Sequence, residues 1–243
     1  MNSSNERVVR LSGSDRVVVI MAKAPRIGAV KTRLIPSLTP EAATAFYRCV
    51  LDDTLALARS LDGVEVAIMC PNSDVNELAQ FAGEQTSVLA QKGQGLAAGL
   101  TSVFGHFADG GHRRVIAFNS DSPHLPPSVL KEAFATLAAH DLVVGPTYDG
   151  GYYLVGAKVA YPSLFTTEGM GTSTALERLL SRARVLDLSV GFAKPFYDID
   201  VADDLTRLAA ELRLDPTRAP RTAVWLSNWE LAAAQLRTGM GKL

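Results

Sequence analysis

Lys23, Arg26, Lys31 and Arg33 crowd the loop of VVVIMAKAPRIGAVKTRL, Val17 to Leu34, directly after an apolar run. A flexible ammonium beside planar guanidinium groups suits a di- or triphosphate. The loop lacks the G-x-x-x-x-G-K-[ST] spacing of a phosphate cradle, and Gly28 alone does not make a dinucleotide fingerprint. A solvated basic loop is the alternative, although the apolar Leu34 would anchor Lys31 and Arg33. Asp121 stands in NSDSP, after the apolar VIAF. A carboxylate at a strand end among small polar residues can take a hard cation such as magnesium, which prefers oxygen ligands and bridges to phosphates. An Asx turn capping the next helix is the competing reading. In YDIDVADDL, strand alternation would turn Asp198 and Asp200 the same way, so that one of them completes a metal site. Asp203 and Asp204 fit the first turn of the following helix, where the helix dipole favours negative charge.

Two further segments could meet an acceptor. Tyr148-Asp149-Gly150-Gly151-Tyr152-Tyr153 pairs glycines, which permit close backbone approach, with a carboxylate able to bind or deprotonate a hydroxyl. A plain turn between strands is the alternative. Gly169-Met170-Gly171-Thr172-Ser173 is a small-residue loop before a helix, suited to a phosphate, a substrate or simple capping. His106, His112, His124 and His140 are scattered without metal spacing, and no nucleophile elbow or Ser-His-Asp set is present.

The elements that must carry these residues alternate. Val17–Met21 is apolar without alternation, as in a parallel strand covered on both faces. Thr39-Pro40-Glu41 opens a helix running over Ala42–Leu61. Strands follow at Val64–Cys70, Ser87–Gln91, Val115–Asn119 and Leu142–Val144, with helices at Asp74–Ala82, Leu96–Phe107 and Pro127–Ala139. This order predicts an α/β fold with a mostly parallel sheet between helices, and open sheets of this kind gather ligands at the carboxyl ends of their strands. Gly150–Gly156 reads as a strand outside the simple repeat. Arg184–Leu188 and Phe196–Ile199 would complete the sheet, and Val201–Leu214 is the closing helix. A helix over Trp225–Leu236 lies in a stretch whose place in the fold the pattern leaves open.

At 243 residues and 47% hydrophobic, the chain can bury a substantial core. Twenty-four basic residues against 25 acidic ones argue against nucleic acid as a partner, so any positive site is local. Cys49 and Cys70 read as buried free thiols of a reducing compartment. The first fifteen residues lack the apolar core of a signal peptide and no stretch approaches a membrane span, so a soluble, cytoplasmic protein is expected. The expected layout is a tail over 1–15, the main domain over 16–214 and a helical extension over 215–243.

MAKAPRIGAVKTRL, NSDSPHLP, PTYDGGYYLVG, GTSTALERL and YDIDVADDL occur in that order between about Val17 and Leu208. Together they resemble the small bacterial GT-A-type glycosyltransferase-like proteins of the nucleotide-diphospho-sugar transferase superfamily (DUF2064-like). More distantly, the chain is similar to small nucleotidyltransferases such as the molybdenum-cofactor and phospholactate guanylyltransferases. The resemblance implies a Rossmann-like GT-A sheet binding a nucleotide, either an NDP-sugar or an NTP, and a small-molecule acceptor, with Mg²⁺ or Mn²⁺ as cofactor. It implies catalytic roles for Asp121, Asp149 and Lys31, and metal binding by Asp121 and Asp200. Nucleotide binding falls to Ala22, Lys23, Arg26, Gly28, Lys31, Arg33, Gln91, Gly95, Asn119 and Ser120. Acceptor binding falls to Asp149, Gly150, Gly151, Tyr152, Gly171 and Thr172. The family's arginine in G-x-L-G-x-R is missing after Gly95, and Asn119 stands in the first place of the D-x-D. Glycosyl transfer is the leading expectation, nucleotidyl transfer with release of pyrophosphate the second, and an inactive nucleotide-binding module the third. The chain would act alone or as a homodimer.

Overall fold

Unbroken apolar runs form the middle of the sheet. In the computed structural model, which describes residues 14–35, 37–167 and 170–239, β1 (Arg16–Met21) has Val17, Val18, Val19 and Ile20 wholly buried. It lies between β2 (Glu65–Cys70) and β4 (Arg114–Asn119), parallel to both. Burial on both faces explains why these strands lack a polar alternation. With β3 (Ser87–Ala90), β5 (Leu142–Pro146), β6 (Tyr152–Ala157) and β7 (Val190–Phe192), they make a seven-stranded sheet of order β3-β2-β1-β4-β6-β5-β7. Only β6 runs against its neighbours, so GGYYLVG does supply a strand outside the βα repeat.

The helices are α1 (Pro40–Arg59), α2 (Val75–Ala82), α3 (Gly95–Asp109), α4 (Pro127–Ala139), α5 (Ala175–Val185), α6 (Ala202–Leu214) and α7 (Pro220–Gly239). The chain steps from β1 through β2 to β3 and then returns past β1 to β4. Right-handed crossovers place helices on opposite faces when that direction reverses. Accordingly α3 packs Leu100, Val103, Phe104 and Phe107 on Val17, Val19, Ala67, Met69, Val115 and Ala117, while α5 adds Leu179 and Ala183 to the same cluster. The buried Leu78 and Ala82 of α2 lie outside it. This is the Rossmann-like α/β architecture expected. No helix among the described residues is long and apolar enough to cross a membrane.

Two expected strands are corrected. Arg184 and Val185 are the end of α5, whose Ala175, Leu179 and Ala183 recur every four residues as one buried helical stripe, and Leu186–Leu188 turn out of the helix; the strand is the later Val190–Phe192. Among the described residues, Phe196–Ile199 forms no strand but one parallel bridge, between Phe196 and Thr147. The chain then turns into α6, with the Asp204 carboxylate accepting the backbone N–H groups of Asp200 (3.0 Å) and Val201 (2.9 Å). The pleat that would have turned Asp198 and Asp200 the same way is therefore absent, whereas the helix-start role of Asp204 holds.

The chain divides into two compact units. The first takes the chain up to Ala24, Leu57–Ser120 and Leu125–Asp198, and so holds the sheet; the second takes Pro25–Ala56, Asp121–His124 and the chain from Ile199 onward. Within the second, Phe46 meets Trp225 at 5.1 Å between ring centroids, and Trp225 stacks on Trp229 at 6.2 Å. Both tryptophans thus lie on α7. Arg218 donates through Nη2 to the His124 carbonyl (2.8 Å), and burial holds the His124 imidazole down at about 3, hence neutral. Both cysteines are free thiols; Cys70 is buried and Cys49 half-buried. Burial pushes Cys70 up to about 12, with Asp74 adding to the rise, so it is an inert thiol.

Candidate active site

A cluster of opposite charges lies in the second unit. Lys31 is one of two non-glycine residues among those described with positive φ, at φ 51° and ψ 36°. L-residues avoid this left-handed region at a cost of about 1–2 kcal/mol, so the loop holds Lys31 there against its preference. The short 3-10 helix Thr32–Leu34 begins directly after it and plants Leu34 in the core with no exposed surface. The Lys31 side chain is only 3% exposed, and its Nζ stands 2.7 Å from Asp121 Oδ1, 2.5 Å from the Ile199 carbonyl and 4.0 Å from Asp200 Oδ1. Arg33, with a side chain 71% exposed, reaches Asp200 Oδ2 through Nη1 at 3.1 Å.

Two cations thus face two carboxylates, and the formal charges cancel. Lys31 is therefore a buried cation held by partners rather than a solvated loop lysine. In the same unit, Gly28 takes φ 74° and the Ala29 amide donates to the Arg26 carbonyl at 3.0 Å, closing the turn between Arg26 and Lys31. Among the described residues, no three His, Cys, Asp or Glu side chains form a metal-holding group.

In the first unit, the carboxyl ends of β1, β2 and β4 lie level, with Met21 in register with Met69 and Asn119. Ala22 continues the ladder by donating to the Met69 carbonyl at 3.2 Å, and Ala24 donates to the buried Asp74 at 2.9 Å. Ala22 is buried and Lys23 exposed, so the loop leaves the sheet with its first cation in solvent. At the end of β4, Asn119 is half-buried and Ser120 buried. After β3, the Gln91 amide donates to the carbonyls of Gly93 (3.0 Å) and Gly95 (3.3 Å). Gln91 therefore shapes its own glycine loop, in which Gly95 takes φ 81°.

The Asp149 segment and the Thr172 segment meet within this unit. Asp149 Oδ1 accepts from the Thr147 hydroxyl and from the Gly151 amide at 3.1 Å, which orients the carboxylate in an Asx-type turn. Gly150 takes φ 88° and its carbonyl accepts from Leu176 at 3.1 Å. A Cβ on Gly150 would stand 2.0 Å from the Ser173 carbonyl oxygen. Gly150→Ala is therefore expected to cost at least about 2 kcal/mol, read as a fall of about 4–8 °C in thermal unfolding; an unchanged melting temperature would refute this packing. Burial raises the Tyr152 phenol, which stays protonated and donates to Met170 Sδ at 3.4 Å. Thr172 Oγ1 lies 2.9 Å from Thr174 Oγ1, and Gly171 takes φ 73° in solvent; Gly169 lies outside the described residues.

Sequence reasoning missed Ile199, whose carbonyl helps hold Lys31, together with Asp74 and Thr147. Thr147 could have been found from its place two residues before Asp149, a local side-chain turn. Nothing in the pattern marks Ile199, because its contribution is a backbone oxygen.

Residues 54–172 match the family described as an uncharacterized protein conserved in bacteria, DUF2064. No curated protein matches the sequence. Among solved structures, a protein of Desulfovibrio desulfuricans G20, named provisionally as a nucleotide-diphospho-sugar transferase, is similar with a TM-score of 0.84 and 26% identity over 91% of this chain and 98% of that one. The 4-diphosphocytidyl-2C-methyl-D-erythritol synthase of Anaerococcus prevotii DSM 20548 shares the fold at a TM-score of 0.56 and 10% identity, over 82% and 97% of the two chains. The inositol-1-phosphate CTP transferase of T. maritima does so at 0.53 and 16%, over 82% and 95%. Residues 54–172 thus match the DUF2064 family model, and the chain has a Rossmann-like fold shared with the Desulfovibrio protein and with the two nucleotidyltransferases.

Proposed function

We propose that this chain is a nucleotide-dependent transferase that moves a glycosyl group from an NDP-sugar to a small acceptor. The observation that carries this reading is the strained, nearly buried Lys31 held at 2.7 Å by Asp121 with Asp200 and Arg33 beside it. Strain maintained around a buried charge marks a site that the fold has organised in advance. The likeness to the Desulfovibrio protein supports the same class of donor.

In this reading, Arg33 offers a mostly exposed planar fork to the donor's phosphates, and Lys31 supplies fixed positive charge. Asp121 and Asp200 present hard oxygens toward one cationic atom, a donor set suited to Mg²⁺ or Mn²⁺, which one or two carboxylates and substrate phosphates together can hold. Such an ion would neutralise charge on the departing nucleoside diphosphate. In the transfer the acceptor oxygen bonds to the anomeric carbon as the carbon–phosphate oxygen bond breaks, and its proton passes to a base; within the first unit, Thr147 and Gly151 orient Asp149 as a carboxylate able to act as one.

A second reading has its own support, since two cations beside two carboxylates suit a triphosphate. An acceptor phosphate would then attack the α-phosphorus and release pyrophosphate. Thermal unfolding with Mg²⁺ or Mn²⁺ and a panel of NDP-sugars and NTPs separates the two. An NDP-sugar at about 100 times its Kd is expected to add about 2.7 kcal/mol, with nucleoside diphosphate released once acceptor is supplied. Stabilisation by NTPs alone would replace glycosyl with nucleotidyl transfer. Tight binding without turnover of either donor would make the chain an inactive nucleotide-binding module.

A further inference from the structure

On the face of the sheet that carries α3, the packing stops short of the outer strands. The residues of α3 and α5 in the buried cluster lie over β1, β2, β4, β5 and β6, while β3 contributes only Leu89. Beside β2 and β3 the face opens into a cleft of about 740 Å³ within the first unit, inside the range of small-molecule sites. Its body is apolar, with Met69, Leu89, Phe107 and Phe165 among its walls. Along α3 the small residues Ala98, Thr101, Ser102 and Gly105 leave space unfilled, with His106 and Asp109 farther along the helix and Lys92 on the loop before it completing the polar rim. A Cβ on Gly105 would meet nothing within 4 Å.

The polar lining is satisfied in some places and not in others. Thr101 donates to the Ala97 carbonyl (2.9 Å) and Ser102 to that of Ala98 (2.7 Å), so both hydroxyl protons are used. Glu65 and His112 differ. They form a buried pair, Nε2 to Oε2 at 3.0 Å, with side chains 3% and 7% exposed. The other atom of each, Glu65 Oε1 and His112 Nδ1, is buried with no hydrogen-bond partner. Such atoms are rare in folded proteins and call for a missing partner. The open carboxylate oxygen of Glu65 can only accept. That position therefore calls for a donor, which a carboxylate ligand does not bring, and a charged donor makes a stronger bond to it than a hydroxyl does. A primary ammonium is such a donor.

We infer that this cleft binds a small primary amine with an apolar body, its ammonium directed at the open oxygen of Glu65 and its chain lying along α3. Glu65 opens β2 and His112 precedes β4, so the polar end sits at the amino-terminal ends of the strands. Gln91 and Asn119, both assigned to the nucleotide, lie at the carboxyl ends. The inference does not depend on which group the proposed transferase moves.

Calorimetric titration of the full chain with n-hexylamine, 1-hexanol and hexanoate tests it, since the three share one chain and differ in the head group. Saturable binding of hexylamine at least tenfold tighter than hexanol is expected, with none for hexanoate. Gly105→Leu should weaken the amine at least tenfold by filling the cleft, without lowering the melting temperature, because its side chain enters open space and leucine favours a helix. Glu65→Gln should abolish the preference for amine over alcohol. If Glu65→Gln fails to fold, Gly105→Leu carries the test alone. Absence of saturable hexylamine binding, equal affinity for hexanol, or undiminished binding by Gly105→Leu would each overturn the inference.

Discussion

Lys31→Ala is expected to weaken binding of the stabilising nucleotide about thirtyfold, the equivalent of ~2 kcal/mol for a lost charged hydrogen bond. The ammonium is 3% exposed and shared among Asp121, the Ile199 carbonyl and Asp200, so its removal also leaves two carboxylates without their common cation. Lys31→Gly separates the charge from the backbone. Both variants lose the ammonium, but glycine accepts φ 51° freely whereas alanine does not. The glycine variant should therefore bind nucleotide as poorly as the alanine variant while exceeding it in stability by about 1 kcal/mol, or about 2–4 °C in melting temperature. Calorimetric titration and thermal unfolding read the two effects apart. A nucleotide Kd unchanged in both variants would remove Lys31 from the site, and equal melting temperatures would show that the left-handed backbone stores no strain.

The largest effect on stability is expected at Asp53. This residue lies on α1, is 3% exposed, and accepts from the backbone N–H groups of Arg221 (3.2 Å) and Thr222 (2.8 Å) at the start of α7. The first N–H groups of a helix have no carbonyl partner within it, and a carboxylate there also meets the positive end of the helix dipole. Asp53→Ala removes both acceptors at once and is expected to cost about 3 kcal/mol, a fall of about 6–12 °C in melting temperature for a chain of this size. Asp53→Asn keeps one acceptor oxygen without the charge and should lose about half as much. A loss below about 1 kcal/mol for Asp53→Ala would show that α7 docks through Phe46 and the tryptophans instead.

Much of the fold was legible because its signals are local. Val17–Met21 and Val115–Asn119 read as buried parallel strands because such strands are apolar on both faces, and both pair as expected. The strand in GGYYLVG stood out against the βα repeat and proved to be the antiparallel β6. Arg184–Leu188 misled because RVLDL, a short apolar run broken by one aspartate, suits a strand over five positions, while the helical stripe through Ala175 and Leu179 shows only over a longer span. The Asp149 turn was legible as a turn, since Thr147, Asp149 and Gly151 act on each other two residues apart.

The cation cluster was legible only as an inventory. By itself the sequence determined which residue types stand after each strand: cations after β1, Asp121 after β4 and glycines before β6, because strand patterns and turn chemistry act within a few neighbours. It did not determine that Lys31 would be buried, that Asp121 would be the carboxylate at 2.7 Å, or that Ile199, 168 residues away, would lend its carbonyl. Only the tertiary structure decided those, because burial and ion pairing depend on distance in space, and the chain folds its remote segments back onto one ammonium.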